Sequence, residues 1–163
     1  MIIVADQINK LNFGMFVPLQ EQLLEAARKR DYRHLFEAEG RICAQQDYYE
    51  YLRDVFFFRM NGKIYIYEEN SCYVCGACFE PYRDGLLLNS LVTLKTYRRK
   101  GYAERLLSFA LEQLEGPVYA HIYEKNLASL RLHEKLGFQC LHGYAHMLDG
   151  SVRSDHFTYI KNN

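Results

Sequence analysis

The chain has 163 residues, about half of them apolar and 15% aromatic, which is enough for one continuous core and too apolar for extensive disorder. Twenty Lys plus Arg balance twenty Asp plus Glu, and a zero net charge argues against a general nucleic-acid binder, which normally carries a positive excess. No run approaches the roughly 18–20 apolar residues that span a bilayer, Met1–Asp6 does not open a secretory signal, and five cysteines suit a reducing compartment better than a disulfide framework. The expectation is a single domain over residues 1–163, cytoplasmic, a monomer or homodimer, with no nucleic-acid or membrane partner.

Ile2–Ala5 reads as a short strand and Pro18–Arg30 as a helix, with Pro18 in its first turn and Leu19, Leu23, Ala26 and Ala27 on one face. Gln45–Arg53 is a weaker helix, and Val55–Met60 fits either its continuation or a strand. Ile64–Glu68 alternates as a strand and ends at the turn pair Asn70-Ser71. Cys72–Glu80 follows, then a turn at Pro81–Gly85 in which Gly85 can take positive φ. Leu86–Leu94 returns as a strand that is apolar apart from Asn89, Ser90 and Thr93.

The clearest helix is Tyr102–Leu114, where Ala103, Leu106, Leu107, Ala110, Leu111 and Leu114 recur at three and four. Gly116-Pro117 stops it. Val118–Tyr123 is a strand. Leu127–Leu136 is a helix with Asn126 at its N-cap and Gly137 past its end. Phe138–Leu148 and His156–Ile160 are strands around Asp149-Gly150-Ser151. This order predicts a mixed α/β sheet with helices on both faces.

The segment Arg98-Arg99-Lys100-Gly101-Tyr102-Ala103 joins a strand to the best helix. A glycine loop there lets backbone N–H groups converge, and a helix N-terminus favours a phosphate. Lys95, Arg98, Arg99, Lys100 and Arg105 surround it, with Glu104 opposing. This is either a local anion site or a solvated basic turn.

Arg98-x-x-Gly101-x-Ala103 resembles the coenzyme A pyrophosphate motif, Gln/Arg-x-x-Gly-x-Gly/Ala, of the GNAT superfamily of N-acetyltransferases. Lys95 stands where many members have proline. Val118–Ile122, Asn126, Ala128-Ser129 and Leu132-His133-Glu134-Lys135-Leu136-Gly137-Phe138 are similar to a second GNAT pattern, closest in detail to its FR47-like branch. The resemblance covers Leu86–Phe138 well and the first 60 residues only by element order.

The resemblance implies acyl transfer from acetyl-CoA, or another acyl-CoA, to a small-molecule or peptide amine, with no metal. It implies fourth and fifth strands that splay apart around the pantetheine arm. Leu91, Val92, Thr93 and Leu94 would then offer backbone groups to that arm. Arg98, Arg99, Lys100, Gly101, Tyr102 and Ala103 would hold the pyrophosphate, and Asn126 would sit on the cofactor side, its other reading being a helix cap.

His133 stands where the family usually has a tyrosine that protonates the leaving thiolate. With an ordinary pKa of about 6.5, roughly a quarter of it would be cationic at pH 7, so it can serve, or it is simply a helix residue. The amine needs a base, and the fourth strand has no carboxylate. His121 is the first choice, with Tyr123, Glu124, Glu80 and Asp84 behind it. Cys72-x-x-Cys75-x-x-Cys78 looks like a metal motif, but strand alternation would put Cys72 and Cys78 on one face and Cys75 on the other, so the three are read as structural. Two rivals to the enzyme are an inactive acyl-CoA-binding module, on the strength of His133, and a thiolate metal protein.

Overall fold

The computed structural model describes residues 1–162. In chain order it contains β1 (Ile2–Ala5), a short α1 (Phe13–Phe16), α2 (Glu21–Asp31), α3 (Glu37–Tyr51), β2 (Lys63–Glu69), β3 (Cys72–Tyr82), β4 (Gly85–Thr93), α4 (Tyr102–Gln113), β5 (Pro117–Tyr123), α5 (Leu127–Lys135), β6 (Gln139–His142), β7 (Ala145–His146), β8 (Val152–Arg153) and β9 (His156–Asn162). Seven strands form one sheet in the order β1-β2-β3-β4-β5-β9-β6. Every neighbour is antiparallel except β4 and β5, which run parallel. The short hairpin β7–β8 stands apart.

Each face of the sheet carries its own core. The apolar stripe of α4 (Leu106, Leu107, Ala110 and Leu111) packs on Tyr65, Val74, Ala77, Phe79, Val118 and Ala120. The opposite face buries Ile64, Ile66 and Cys78 under Phe16, Leu19, Leu52 and Phe56. This two-sided cover is the mixed α/β arrangement that the alternation of patterns predicts.

Several boundaries differ from the sequence reading. Pro18 lies in a 3-10 turn, Val17–Gln20, that leads into α2. Helix α3 begins at Glu37, well before Gln45, and continues through a π turn at Leu52–Phe57. Gly40 explains the missed start: a Cβ there would lie 3.1–3.2 Å from Arg28 and Tyr32 of the α2 end, so this helix carries a glycine where α2 comes close. Positive φ at the β3–β4 turn is taken by Arg83 (φ 52), not by Gly85. The strand expected from Phe138 to Leu148 breaks between His142 and Ala145.

Two bulges decide which way side chains point. Tyr67 pairs with Cys75 but Glu68 pairs with Tyr73, leaving Val74 unpaired; Cys78 pairs with Ser90 but Phe79 pairs with Leu88, leaving Asn89 unpaired. An extra residue inverts the alternation beyond it. Cys72 and Cys75 therefore both pack on the α4 side and Cys78 on the other, which corrects the expected pairing of Cys72 with Cys78.

The parallel ladder between β4 and β5 has only the pairs Leu86–Val118, Leu87–Tyr119 and Leu88–Ala120. It stops at the Asn89 bulge. Beyond that point β4 continues to Thr93, while β5 stays paired with β9 as far as Tyr123. The two strands thus diverge, and a gap opens between them.

The start of this ladder tolerates no side chain at Gly85, because a Cβ there would lie 2.0 Å from the carbonyl oxygen of Pro117. Gly85→Ala should cost about 2–4 kcal/mol through forced displacement of β5. Gly143→Ala, where a Cβ meets open space, should stay within about 0.5 kcal/mol. Urea unfolding of the two variants checks this, and equal midpoints would contradict it.

Candidate active site

The loop after β4 is built to leave backbone donors free. Arg98 N–H donates to Lys95 O (3.4 Å), and the next N–H with a backbone partner is that of Arg105, to Gly101 O (3.0 Å). Among the described residues, the N–H groups of residues 99–104 between them have none. Arg99 (φ 61) and Gly101 (φ 79) are both left-handed, the kind of turn that gathers successive N–H groups. A Cβ on Gly101 meets no atom within 4 Å. Conformation rather than crowding therefore asks for glycine there, and the space beside it is open.

Three of the cations around this loop, Arg98, Lys100 and Arg105, are held in place. Arg105 stacks over the rings of Tyr102 (4.7 Å) and Tyr67 (5.3 Å) and donates to Lys100 O (3.3 Å). Lys100 sits over the Tyr97 ring (5.1 Å), and the Tyr102 hydroxyl is hydrogen-bonded to Glu69. Arg98 Nε donates to Thr93 O (3.0 Å), tying the strand end to the loop. Glu104, the opposing acid, is paired with Lys135 of α5 at 2.8 Å. A neutral protein thus presents one locally positive turn at a helix N-terminus.

Two cavities meet along β4 on the face away from α4. The larger, about 890 Å³, is lined by Ser90, Val92 and Thr93 of β4, by Leu94 just after it, by Tyr48 and Tyr51 of α3, and by Arg98. The smaller, about 420 Å³, is lined by Leu87, His121, Leu148 and His156. Asn89, the bulge residue, lines both. Of the residues named from sequence, Val92, Thr93, Leu94 and Arg98 thus gather in one cavity and His121 in the other. Leu91 turns to the α4 side.

His121 alternates with Val118, Ala120 and Ile122, which are in the α4-side core, so its ring points into the trough. Its Nδ1 lies 3.2 Å from Thr158 Oγ1, and its Nε2 is buried without a partner. Burial lowers its pKa, the His146 carbonyl works against that, and Arg83, His156 and His146 add to the lowering. The lowering favours the neutral form of the ring.

Glu80 pairs with Leu87 across β3–β4, so it faces the same trough, beneath its lining. It is fully buried. Neither carboxyl oxygen reaches a hydrogen-bond partner at bonding geometry. Burial pushes its pKa up, and the Asn89 side chain pulls the other way. The other carboxylate candidate on this turn, Asp84, accepts from the Tyr119 hydroxyl at 2.6 Å, which holds its pKa below the ordinary value. Tyr123 and Glu124 are exposed at the end of β5.

His133 and Asn126 lie on α5 and line neither cavity. Asn126 caps the helix, its Oδ1 accepting from Ser129 N (3.2 Å). His133 is 2% exposed, packed edge-on to Phe138. Its Nδ1 is 2.8 Å from Ser129 O. A carbonyl only accepts, so Nδ1 carries the proton and Nε2, buried and unpartnered, carries the lone pair. Burial lowers the pKa of this ring too.

Sequence reasoning missed Asn89, whose signal was a polar residue in a leucine-rich strand, and Thr158, for which no signal existed. Among the described residues, no group of three His, Cys, Asp or Glu is placed to hold a metal ion. Also among them, no helix is long and apolar enough to cross a membrane.

Among the described residues, the one parallel strand pair of this mixed α/β sheet diverges beside a loop of free N–H groups. Residues 24–138 match the model of the Acetyltransferase (GNAT) family, and the chain belongs to that family. The match names the superfamily and no branch of it. The ribosomal-protein-S18-alanine N-acetyltransferase of Escherichia coli is similar in structure (TM-score 0.58, 16% identity, 98% of this chain and 92% of that one). So is an aminoglycoside 6'-acetyltransferase type Ii (TM-score 0.64, 15% identity, 98% and 96%). A GNAT acetyltransferase from Elizabethkingia anophelis, solved with acetyl-CoA bound, matches with TM-score 0.52 and 12% identity over 63% of this chain and 76% of that one. At these identities the likeness is one of fold. Comparison by sequence with curated proteins finds no significant match.

The orphaned acid in the trough gives a stability prediction. A carboxyl with a raised folded pKa costs nothing below its unfolded value of about 4.3 and costs progressively more as pH rises towards the folded value. Glu80→Gln should therefore raise the melting temperature by a few degrees at pH 8, on the scale of about 1 kcal/mol, and by less at pH 4.5. Thermal scans at the two pH values read the difference, and a variant that is less stable at pH 8 would contradict it.

Proposed function

We propose that this protein is an N-acetyltransferase that moves the acetyl group of acetyl-CoA directly to an amine. What carries the reading is the placement of the free N–H groups of residues 99–104 at one end of the gap between β4 and β5. The loop, with Arg99, Lys100 and the main chain of Gly101, Tyr102 and Ala103, would take the pyrophosphate. Leu91–Leu94 would pair with the pantetheine arm, with one of their N–H groups polarising the thioester carbonyl. Arg98 serves first as a brace on Thr93. Asn126, already a cap through Oδ1, has its amide group left for the cofactor side. The FR47-like branch rests on motif detail alone.

The amine nitrogen attacks the thioester carbon, the C–N bond forms, and the C–S bond breaks. The nitrogen's proton passes to His121 Nε2, and the thiolate departs and takes up a proton. The thioester is already activated, so no acyl-enzyme is needed. The strand thiols agree with this: burial pushes Cys75 up to about 11 and Cys78 up to about 12, far from the reactive range. The acceptor enters the trough from the α2–α3 side. The relatives act on acceptors as different as an aminoglycoside and a protein alanine, so the fold does not choose between them. One observation favours the rival reading of an acyl-CoA-binding module: His133, in the place of the usual proton donor, holds a lone pair on its free nitrogen.

Two experiments test this. Gly101→Glu puts bulk and negative charge into the open space beside the N–H groups and should abolish acetyl-CoA binding in calorimetry; unchanged affinity would sink the assignment. The second concerns His133. As a donor it must be cationic, and its lowered pKa means that the cation is lost as pH rises through a value below about 6.5. Turnover should then already be falling at neutral pH. His133→Tyr should extend activity upward by a unit or more, and His133→Ala should lower turnover by roughly 10- to 1,000-fold at acid pH. A His133→Ala variant that matches the parent throughout would show that the thiolate finds its proton elsewhere.

A further inference from the structure

We propose that Thr158 is a positioning residue for the transfer: it locks His121 in the tautomer that keeps a bare, buried Nε2 beside the cavity at the β4 bulge. The proposal rests on the reading of His121 as the base. Thr158 lies directly opposite His121 in the β5–β9 register and is 2% exposed. Its Oγ1 is 2.7 Å from the carbonyl oxygen of Tyr144 and 3.2 Å from His121 Nδ1. A threonine hydroxyl has one proton, and a carbonyl can only accept. That proton therefore goes to Tyr144, and Oγ1 can only accept from the ring. Nδ1 must carry the ring's hydrogen, which leaves the lone pair on Nε2. This atom is buried and meets no partner, while the ring lines the smaller cavity with Leu87, Asn89 and His156.

The same hydroxyl fastens the loop that walls this cavity. Tyr144 follows the break after β6, and its ring stacks on His142 (5.1 Å) and meets His146 edge-on (5.4 Å). The chain then runs into Met147–Asp149 at the cavity wall. The His146 carbonyl, which accepts from the Tyr82 hydroxyl at 3.0 Å, makes no well-formed hydrogen bond to Nε2 yet favours the protonated ring. When Nε2 takes the amine's proton, Nδ1–H stays bonded to Thr158 and the ring need not turn. Without the hydroxyl, the ring keeps no well-formed hydrogen bond to fix which nitrogen is bare.

The test reads the tautomer separately from the chemistry. Nitrogen-15 NMR of the histidine rings in the unaltered protein at about pH 8, above the ordinary ring pKa, should show His121 with hydrogen on Nδ1 and a bare Nε2. Thr158→Val should turn it to the opposite tautomer or a mixture, and Thr158→Ser should keep it. Turnover should fall roughly tenfold or more in Thr158→Val, within the 10²–10⁴-fold contribution of a whole base. It should be largely restored in Thr158→Ser, with acetyl-CoA affinity equal in all three. Hydrogen on Nε2 in the unaltered protein overturns the proposal, and that measurement needs no variant to fold. So does an unchanged tautomer in Thr158→Val. If His121→Ala is impaired but Thr158→Val turns over normally, the positioning role falls and His121 remains the base. If both turn over normally, the reading of His121 falls and the proposal with it.

Discussion

The parallel pairing of β4 with β5 lasts three residues and stops at Asn89, the residue that β3 leaves unpaired. An extra residue in β4 increases its local twist and turns the strand away from its parallel neighbour. Three consequences follow from that single insertion. The gap opens, backbone groups of the far half of β4 lose a partner strand, and the alternation of side chains inverts. Ser90 and Val92 thereby face the trough, and Leu91 joins the core under α4. The bulge costs the sheet part of its ladder, and the close start of β4–β5 at Gly85 and Pro117 keeps the break from spreading.

The loop beyond the gap concentrates charge without making the protein basic. Its donors are mainly backbone N–H groups, which cannot be lost by side-chain substitution. Lys100 and Arg105 are braced on aromatic rings, Glu104 is paired with Lys135, and Glu69 is held by the Tyr102 hydroxyl. Cation–aromatic stacking fixes a guanidinium with little further loss of rotamer freedom on binding. A zero net charge is thus compatible with the proposed phosphate site, because the local field is set within the first turn of α4.

Much of this was legible in the sequence, and the exceptions have physical causes. The α4 stripe and the Arg98–Ala103 loop stand out because helix periodicity and glycine at a strand–helix junction are local properties. The Asn70-Ser71 turn was equally local, and both residues take positive φ. The bulges were not legible, since one unpaired residue leaves no mark on composition; Val74 and Asn89 each reversed the facing of what surrounds them. Helix α3 hid behind Gly40, whose reason is the proximity of α2. Thr158 is a residue of ordinary strand type, and only the register of β9 on β5 brings it to His121. The buried state of Glu80 likewise depends on β4 and α3 closing over it.

The proton inventory of the two imidazoles follows from their second partners. His121 gives its Nδ1 hydrogen to Thr158 and His133 gives its own to Ser129, so each presents a bare Nε2, one to the trough and one on the side of the α4 core. Burial lowers both pKa values. For His121 the lowering is useful, since a base must be unprotonated and it then stays so through the neutral range. For His133 the same lowering works against a donor, which must be charged. With His121 as the proposed base and His133 as the proposed donor, the two shifts favour removal of the amine's proton over delivery of one to the thiolate. A thiolate is also the better leaving group of the two that separate from the tetrahedral intermediate once the nitrogen has lost its proton, because an ordinary thiol has a pKa of about 8.5, far below that of a neutral amine. On the proposed assignment, deprotonation at His121 commits the intermediate forward with less demand on an acid at His133, and histidine then suffices where tyrosine is usual.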